Sequence, residues 1–149
     1  MIGGAVVASL MFALPAVTWS GKDRSAAHLW LGEAVATAGL VLVVFALARS
    51  GRDRLAPAAV GAWIGAAYWW TSPAGFANPA VTVGRAFTGT FAGIVPASVP
   101  GFIAAQAAGA AAGIALVAAA YPARPPAAGG AAAAGRERAS AGAAPPPAC

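Results

Sequence analysis

Three long apolar runs constrain this chain more than any other feature, because together they contain a single charged residue, Glu33. They cover residues 26–48, 55–71 and 98–121. A membrane-spanning helix needs roughly 20 apolar residues, so the first and third runs are long enough and the second lies near the lower limit. Of all residues 60% are hydrophobic and 9% are charged, whereas a soluble domain carries about 25% charged residues. The sequence therefore predicts an all-α membrane protein with three spans.

The N-terminal run, MIGGAVVASLMFALPAV, is apolar but reaches Pro15 after only 14 residues. That length is too short to cross a bilayer. One interpretation is a secretory signal peptide, although such a peptide carries Lys or Arg before its apolar core and this run has none. The other interpretation is a partial span, the back half of a helix whose front half is missing.

Residues 72–97 are also mostly apolar, but prolines and glycines interrupt them at Pro73, Gly75, Pro79, Gly89, Gly93 and Pro96. Irregular backbone at membrane depth is stable only when it is buried in protein or lines a water-filled cavity. Asn78 before Pro79 favours a helix start, because Asn is a good N-cap and Pro suits the first turn. The segment therefore predicts a re-entrant loop followed by a short half-helix, an arrangement typical of transport proteins.

The basic residues lie between the apolar runs and predict an orientation. Residues 49–54 contain three arginines and the tail, 122–149, contains three more, whereas residues 18–28 contain Lys22 and Arg24. The positive-inside rule places the first two segments in the cytoplasm and 18–28 outside. Tryptophans, which favour the membrane interface, fall at the predicted outer ends of spans at Trp19, Trp30, Trp69 and Trp70.

The tail is rich in Ala, Pro and Gly and has few large side chains, so we expect it to be disordered. The basic residues form no patch interleaved with aromatic residues, so nucleic acid is not an expected partner. The sequence has one cysteine, Cys149, and one histidine, which give no metal-binding spacing.

Four separated segments resemble the second half of the aquaporin family, the major intrinsic proteins. FANPAVTVGRAF, with Asn78, Pro79 and Ala80, is similar to the family's second Asn-Pro-Ala box. GEAVATAGL resembles its fourth helix, with Glu33 and Thr37 in a Glu-x-x-x-Thr pattern. MFALP resembles the end of the third helix, and GFIAAQAAGAAAG resembles the sixth. Within the family the chain is most similar to a bacterial branch with an NPAVT box, some members of which are associated with arsenic-resistance genes.

The resemblance implies an aquaporin-like membrane region over residues 1–121 and a cytoplasmic tail over 122–149. The family fold is two inverted repeats of three helices, whose two boxes meet at the membrane midplane, and this chain has one box. Either its start is misplaced or truncated, or a second chain supplies the other half. Without an opposing box, we expect the first N–H groups of the half-helix to stay unsatisfied and the chain alone to conduct poorly. The expected partners are the lipid bilayer, small neutral solutes, and either a missing N-terminal half or further copies, four by family analogy.

The resemblance also implies roles for individual residues. Asn78 would donate its side-chain amide to a passing solute oxygen, while Pro79 and Ala80 would pack against the opposing box. Glu33, together with Thr37, would support the re-entrant loop, with the carboxylate accepting hydrogen bonds from the loop's N–H groups. Helix packing is expected at Gln106, Gly109 and Gly113, where the two glycines form a small-xxx-small face.

Positions that line the selectivity filter of water channels correspond here to Ala66, Gly75 and Val81. Because all three are small or apolar, the resemblance implies a wide, weakly polar constriction, suited to polyols or neutral metalloid hydroxides. Val81 and Arg85 are four residues apart and share a helix face, so Arg85 would place a cation-repelling charge at the outer mouth. The alternative is that Arg85 only anchors the half-helix, by pairing with a loop carbonyl or by snorkelling to the interface.

The expected function is a channel in the cell membrane, with several spans, for small neutral solutes such as water, glycerol-type polyols or metalloid hydroxides. The sequence contains no nucleophile–base pair, paired carboxylates or phosphate-binding loop, so neither an enzyme nor a cofactor is expected. The alternative is a truncated, non-conducting membrane remnant or scaffold that associates with full-length relatives.

Overall fold

The computed structural model describes residues 2–71 and 75–121, and its regular structure is entirely helical. The helices are α1 (Ile2–Met11), α2 (Ala27–Arg49), α3 (Ala56–Trp70), α4 (Pro79–Arg85) and α5 (Val99–Ala120). Short 3-10 turns at Asp53–Leu55 and Pro96–Ser98 lead into α3 and α5. The expectation of an all-helical chain is confirmed for these residues. The expected disorder and location of the tail, and the helix-breaking role of Pro73, fall outside them.

Two helices are long and apolar enough to cross a membrane: α2, and α5 with the turn that precedes it. They contain 23 and 22 residues, which at about 1.5 Å per residue exceeds the roughly 30 Å of a bilayer core. The third expected span is α3, but it has only 15 residues and extends about 22 Å. The number of spans therefore stays a prediction.

Helices α2 and α5 run parallel to each other. They approach closely because glycines on α5 face the backbone of α2. A Cβ atom added to Gly109 would lie 2.9 Å from the Cα of Ala34, and one added to Gly113 would lie 2.7 Å from the carbonyl oxygen of Ala38. Gly101, nearer the start of α5, lies against the indole of Trp30 in the same way. The contacts advance in the same direction along both helices, which establishes the parallel arrangement.

Helix α3 packs antiparallel against the other side of α2. The indole Nε1 of Trp63 donates a hydrogen bond to the carbonyl oxygen of Ala36, at 3.0 Å. Ala36 and Ala67 are fully buried and form a small apolar cluster with Ala77, from the segment that precedes α4. Small side chains on both helices therefore bring the segment before α4 against α2.

Two segments pair at the end of the molecule where α2 and α5 begin. One is the connector between α1 and α2, and the other follows α4. Backbone hydrogen bonds join the nitrogen of Ser20 to the oxygen of Ala86 at 3.0 Å, and the nitrogen of Val95 to the oxygen of Lys22 at 2.8 Å. At the opposite end, Arg49 donates to the carbonyl of Val117 at 3.4 Å and to that of Tyr121. The segments that the charge pattern assigned to opposite sides therefore lie at opposite ends.

Helix α4 has 7 residues and a length of about 10 Å, a third of the bilayer core. It lies between α1 and α5. An apolar cluster of Phe76, Ala86, Ile94 and Phe102 surrounds its two ends and contacts α5. The fold thus places one short helix inside a frame made by longer ones.

We predict that Gly109→Ala destabilises the protein by about 1–3 kcal/mol, because the new methyl group pushes α5 away from the Ala34 backbone. The matched control is Gly61→Ala on α3, where a Cβ atom meets nothing within 4 Å. Since Ala is favoured over Gly within a helix by about 0.5–1 kcal/mol, the control should be neutral or slightly stabilising. Thermal unfolding in detergent measures both; equal effects would contradict the close approach of α2 and α5.

Candidate functional site

Asn78 begins α4 and satisfies the hydrogen bonds of its first turn. Its backbone is extended, with φ −158° and ψ 122°. Its Oδ1 accepts hydrogen bonds from the backbone nitrogens of Ala80 at 2.8 Å and Val81 at 3.3 Å. Its carbonyl oxygen accepts from the backbone nitrogen of Thr82 at 3.0 Å. The expectation that these N–H groups stay unsatisfied without a second box was wrong, because the N-cap supplies acceptors locally.

The Asn-Pro-Ala box itself is exposed: Asn78, Pro79 and Ala80 all have accessible side chains. Because Oδ1 of Asn78 is committed to the backbone, its Nδ2 amide is the group that it can offer to another molecule, as a donor. The face formed by the box is therefore open in the chain as it stands.

The buried carboxylate of Glu33 fixes the segment that leads into α4. Its Oε2 accepts a hydrogen bond from the backbone nitrogen of Phe76 at 2.9 Å, and its Oε1 accepts one from Ala77 at 2.5 Å. Ala77 has a φ of 50°, in the left-handed region that non-glycine residues rarely adopt. Glu33 is 2% exposed, and charge-assisted bonds of this kind are the stronger ones in proteins. The carboxylate therefore holds a strained turn next to the box.

Gln106 links this carboxylate to α4. Its Nε2 donates to Oε1 of Glu33 at 2.6 Å and to Oγ1 of Thr82 at 2.8 Å. Thr82 is fully buried and donates its own hydroxyl to the carbonyl of Asn78 at 3.0 Å. The remaining atom, Oε1 of Gln106, has no hydrogen-bond partner within residues 2–71 and 75–121. Gln106 was expected at a packing position, and its place in a polar network adds a role that the sequence did not indicate.

Thr37 takes a different place from the one expected. Its hydroxyl donates to the carbonyl oxygen of Glu33 at 2.8 Å, four residues earlier in the same helix, rather than to the re-entrant segment. Gly109 and Gly113, expected as packing positions, lie against the backbone of α2.

Of the expected filter residues, Val81 faces a cavity together with Arg85. A cavity of about 290 Å³ is lined by both residues and by the N-terminal part of α1. A larger cavity, of about 710 Å³, also has Arg85 in its lining, together with the polar residues Ser9, Tyr68, Thr88 and Thr90. Val81 and Arg85 therefore share one side of α4.

Ala66 and Gly75 lie elsewhere. Ala66 is exposed on the surface of α3. Gly75 is buried, and a Cβ atom there would lie 2.8 Å from the Cβ of Ala36 and 3.0 Å from Oγ1 of Thr71. Its side-chain direction therefore points into the packed interior, and only its backbone could face a passing solute.

One residue of this region, Arg24, was expected only as a loop charge. Arg24 is 3% exposed. Its Nε donates to the carbonyl of Gly93 at 2.7 Å, and its Nη2 donates to that of Phe91 at 2.9 Å. The guanidinium of Arg24 thus anchors the loop that follows α4. No local signal marks it, because the acceptors lie about 70 positions away.

Ionisation at this end follows from burial and hydrogen bonding. Burial lowers the pKa of Arg24 from its ordinary value, and the nearby carboxylate of Glu33 opposes that shift. The neighbouring Asp23 accepts hydrogen bonds from the hydroxyls of Ser25 at 2.5 Å and Ser98 at 2.9 Å, and these lower its pKa. Asp23 therefore stays charged under ordinary conditions and holds the start of α2 against the start of α5.

We predict that Glu33→Gln destabilises the chain by about 1–3 kcal/mol, because an amide offers one acceptor oxygen to three donors. Hydrogen exchange at Phe76 and Ala77 should accelerate at the same time. Asp53→Asn, which removes an exposed carboxylate, is the matched control and should change neither quantity. Unchanged exchange at Phe76 and Ala77 in Glu33→Gln would show that the carboxylate does not hold the turn.

Comparison with known proteins gives one sequence match. No family model matches the chain, and no solved structure matches it. It is 46% identical over 125 residues to the protein named Aquaglyceroporin AqpS of Rhizobium meliloti (strain 1021), an alignment that covers 83% of this chain and 53% of the relative. The chain thus spans about half the length of the curated relative it matches. The expected family is confirmed: the chain belongs to the aquaporin, or major intrinsic protein, family, which it matches in part and in the manner of a C-terminal half.

Proposed function

We propose that this chain contributes one half of a channel through which small neutral solutes cross a membrane passively. The observation that carries the proposal is a half-helix that starts at Asn78, is held by Glu33 and Gln106, and turns Val81 and Arg85 toward a cavity. The 46% identity to a protein named an aquaglyceroporin supports the same function. Passive passage requires no covalent chemistry, so no catalytic residue is assigned.

For the solute class, we propose water, glycerol-type polyols and neutral metalloid hydroxides. Val81 presents an apolar side chain where water channels carry an arginine, and this widens the constriction and weakens its polarity. The larger cavity beside Arg85 is lined by hydroxyl groups and also by apolar side chains such as Phe12 and Leu14. A solute with polar and apolar edges, such as a polyol, fits such a lining.

The proposed setting is a multi-pass protein of the cell membrane, with α2, α3 and α5 as spans and α4 as the re-entrant half-helix. Large apolar side chains on the surface, among them Leu31, Phe45 and Ile114, suit contact with lipid or with neighbouring helices. The exposed box at Asn78 requires an opposing half to complete a pore, and either an N-terminal half or another copy of the chain could supply it. The proposed assembly is a homo-oligomer, a tetramer by family analogy.

The second candidate function is a non-conducting membrane remnant or scaffold that associates with full-length relatives. The exposure of Asn78, Pro79 and Ala80 favours it, because an open box encloses no passage. Swelling of liposomes that contain the purified chain alone tests the second candidate. Rapid glycerol flux through the isolated chain would contradict a non-conducting remnant and would indicate that copies of the chain pair with each other without a separate N-terminal half.

Substitutions in a complete channel that carries this half test the pore itself. Arg85→Ala should leave neutral-solute flux largely intact and raise proton or cation leak, because a positive barrier is removed from the mouth. Val81→Arg should narrow the constriction and shift permeation from glycerol toward water. Arg54→Ala, at an exposed position near the other end, is the control and should change neither.

The anchoring alternative for Arg85 makes a different prediction. If Arg85→Ala lowers the unfolding temperature and changes neither leak nor flux in the channels that remain, the residue is an anchor and the filter role is wrong. Flux is measured by stopped-flow light scattering, and leak by the decay of an imposed pH gradient.

Membrane orientation can be tested separately, in a Cys149→Ser background. Gly21→Cys should react with a membrane-impermeant thiol reagent added outside intact cells, and Ser50→Cys should react only after permeabilisation, because arginines cluster at 49–54. Both positions are exposed. Labelling of Ser50→Cys in intact cells would reverse the proposed orientation.

A further inference from the structure

The wall of the larger cavity is held by a side chain that does not itself line that cavity. Phe91 and Ala92 belong to the lining, together with Arg85. The carbonyls of Phe91 and Gly93 flank Ala92, and both accept hydrogen bonds from Arg24, at 2.9 Å and 2.7 Å. One guanidinium therefore holds the chain on both sides of a lining residue.

The same side chain connects three parts of the structure. It belongs to the connector before α2, it binds the loop after α4, and its guanidinium carbon lies 5.6 Å from the ring centroid of Phe76, two residues before Asn78. Its backbone nitrogen also donates to Oγ of Ser98 at 3.1 Å, at the start of α5. The position of the guanidinium is therefore determined from several directions.

Burying the charged guanidinium of Arg24 against backbone carbonyls costs free energy that burying a neutral side chain would not cost. A planar guanidinium presents several donors in a fixed fork, whereas lysine has a compact ammonium on a flexible stem. The surroundings leave little slack for the loop: a Cβ atom added to Gly93 would lie 3.0 Å from the Cβ of Ser20. The geometry therefore favours a side chain that fixes two carbonyls at once.

We propose that Arg24 is a specificity-determining positioning residue: by clamping the Phe91–Gly93 segment, it sets the opening of the cavity beside Arg85 and thereby the size of solute that is admitted. The proposal rests on the proposed channel function. Arg24 acts through the segment that it holds, and the solute contacts the lining residues.

The test uses a complete channel carrying this half, with Arg24→Lys and Arg24→Gln. The first readout is the ratio of glycerol flux to flux of a five-carbon polyol, which is independent of how many channels fold. Both variants should lower the ratio about fivefold, or about 1 kcal/mol of lost discrimination. The control is Lys22→Gln, a neighbouring exposed cation, which should leave the ratio unchanged.

The second readout does not depend on conduction. Ala92→Cys is introduced in the Cys149→Ser background, because Ala92 is 5% exposed while its segment is clamped. Labelling by an impermeant thiol reagent should be slow with Arg24 present and severalfold faster in both Arg24 variants. An unfolding scan on the same samples identifies a variant that has unfolded. If Arg24→Gln is unfolded, the labelling rate of the folded Arg24→Lys variant shows whether the segment is released.

Two results would overturn the proposal. One is an unchanged flux ratio together with unchanged labelling. The other is full restoration of both by Arg24→Lys, which would mean that charge matters and the fork does not. If every channel fails to conduct while labelling still accelerates in both variants, the channel function is wrong and the clamp on the 91–93 segment stands.

Discussion

The rest of the structure depends on one buried carboxylate, that of Glu33. It accepts two backbone N–H groups from the segment before α4 and one side-chain amide from α5. A charge removed from water is costly unless such donors surround it, and a left-handed alanine persists only where its surroundings enforce it. Both conditions are fulfilled at Ala77, because the carboxylate gains its donors when the backbone adopts the strained turn, and those hydrogen bonds hold the turn in place.

Glu33 can reach Gln106 only because α2 and α5 approach closely. The glycines at 109 and 113 remove the side chains that would separate the two backbones. Gln106 then bonds Glu33 and Thr82 together, and Thr82 bonds the carbonyl of Asn78. The close packing of α2 and α5 therefore fixes the position of α4, which has too few residues to be stable by itself.

The backbone that follows α4 is held by a different set of contacts. The connector before α2 pairs with the backbone that follows α4, and Arg24 binds two carbonyls farther along the same loop. Helix α4 is therefore fixed at its start by Glu33 and Gln106, and beyond its end by the connector. The Val81 and Arg85 side of the helix faces the cavity that α4 shares with α1.

The sequence by itself determined the helical membrane character, the two long helices to within one residue at each end, and the start of α4 at Asn78. These features depend on apolar length and on a cap that acts over three residues, so they are local. Only the tertiary structure decided that Arg24 anchors the loop while Arg85 faces the cavity, that Gln106 bridges Glu33 and Thr82, and that Gly75 points inward. Each of those outcomes is decided by groups that are far apart in the chain and compete for the same partner or the same space. A local sequence pattern cannot show which group makes the contact.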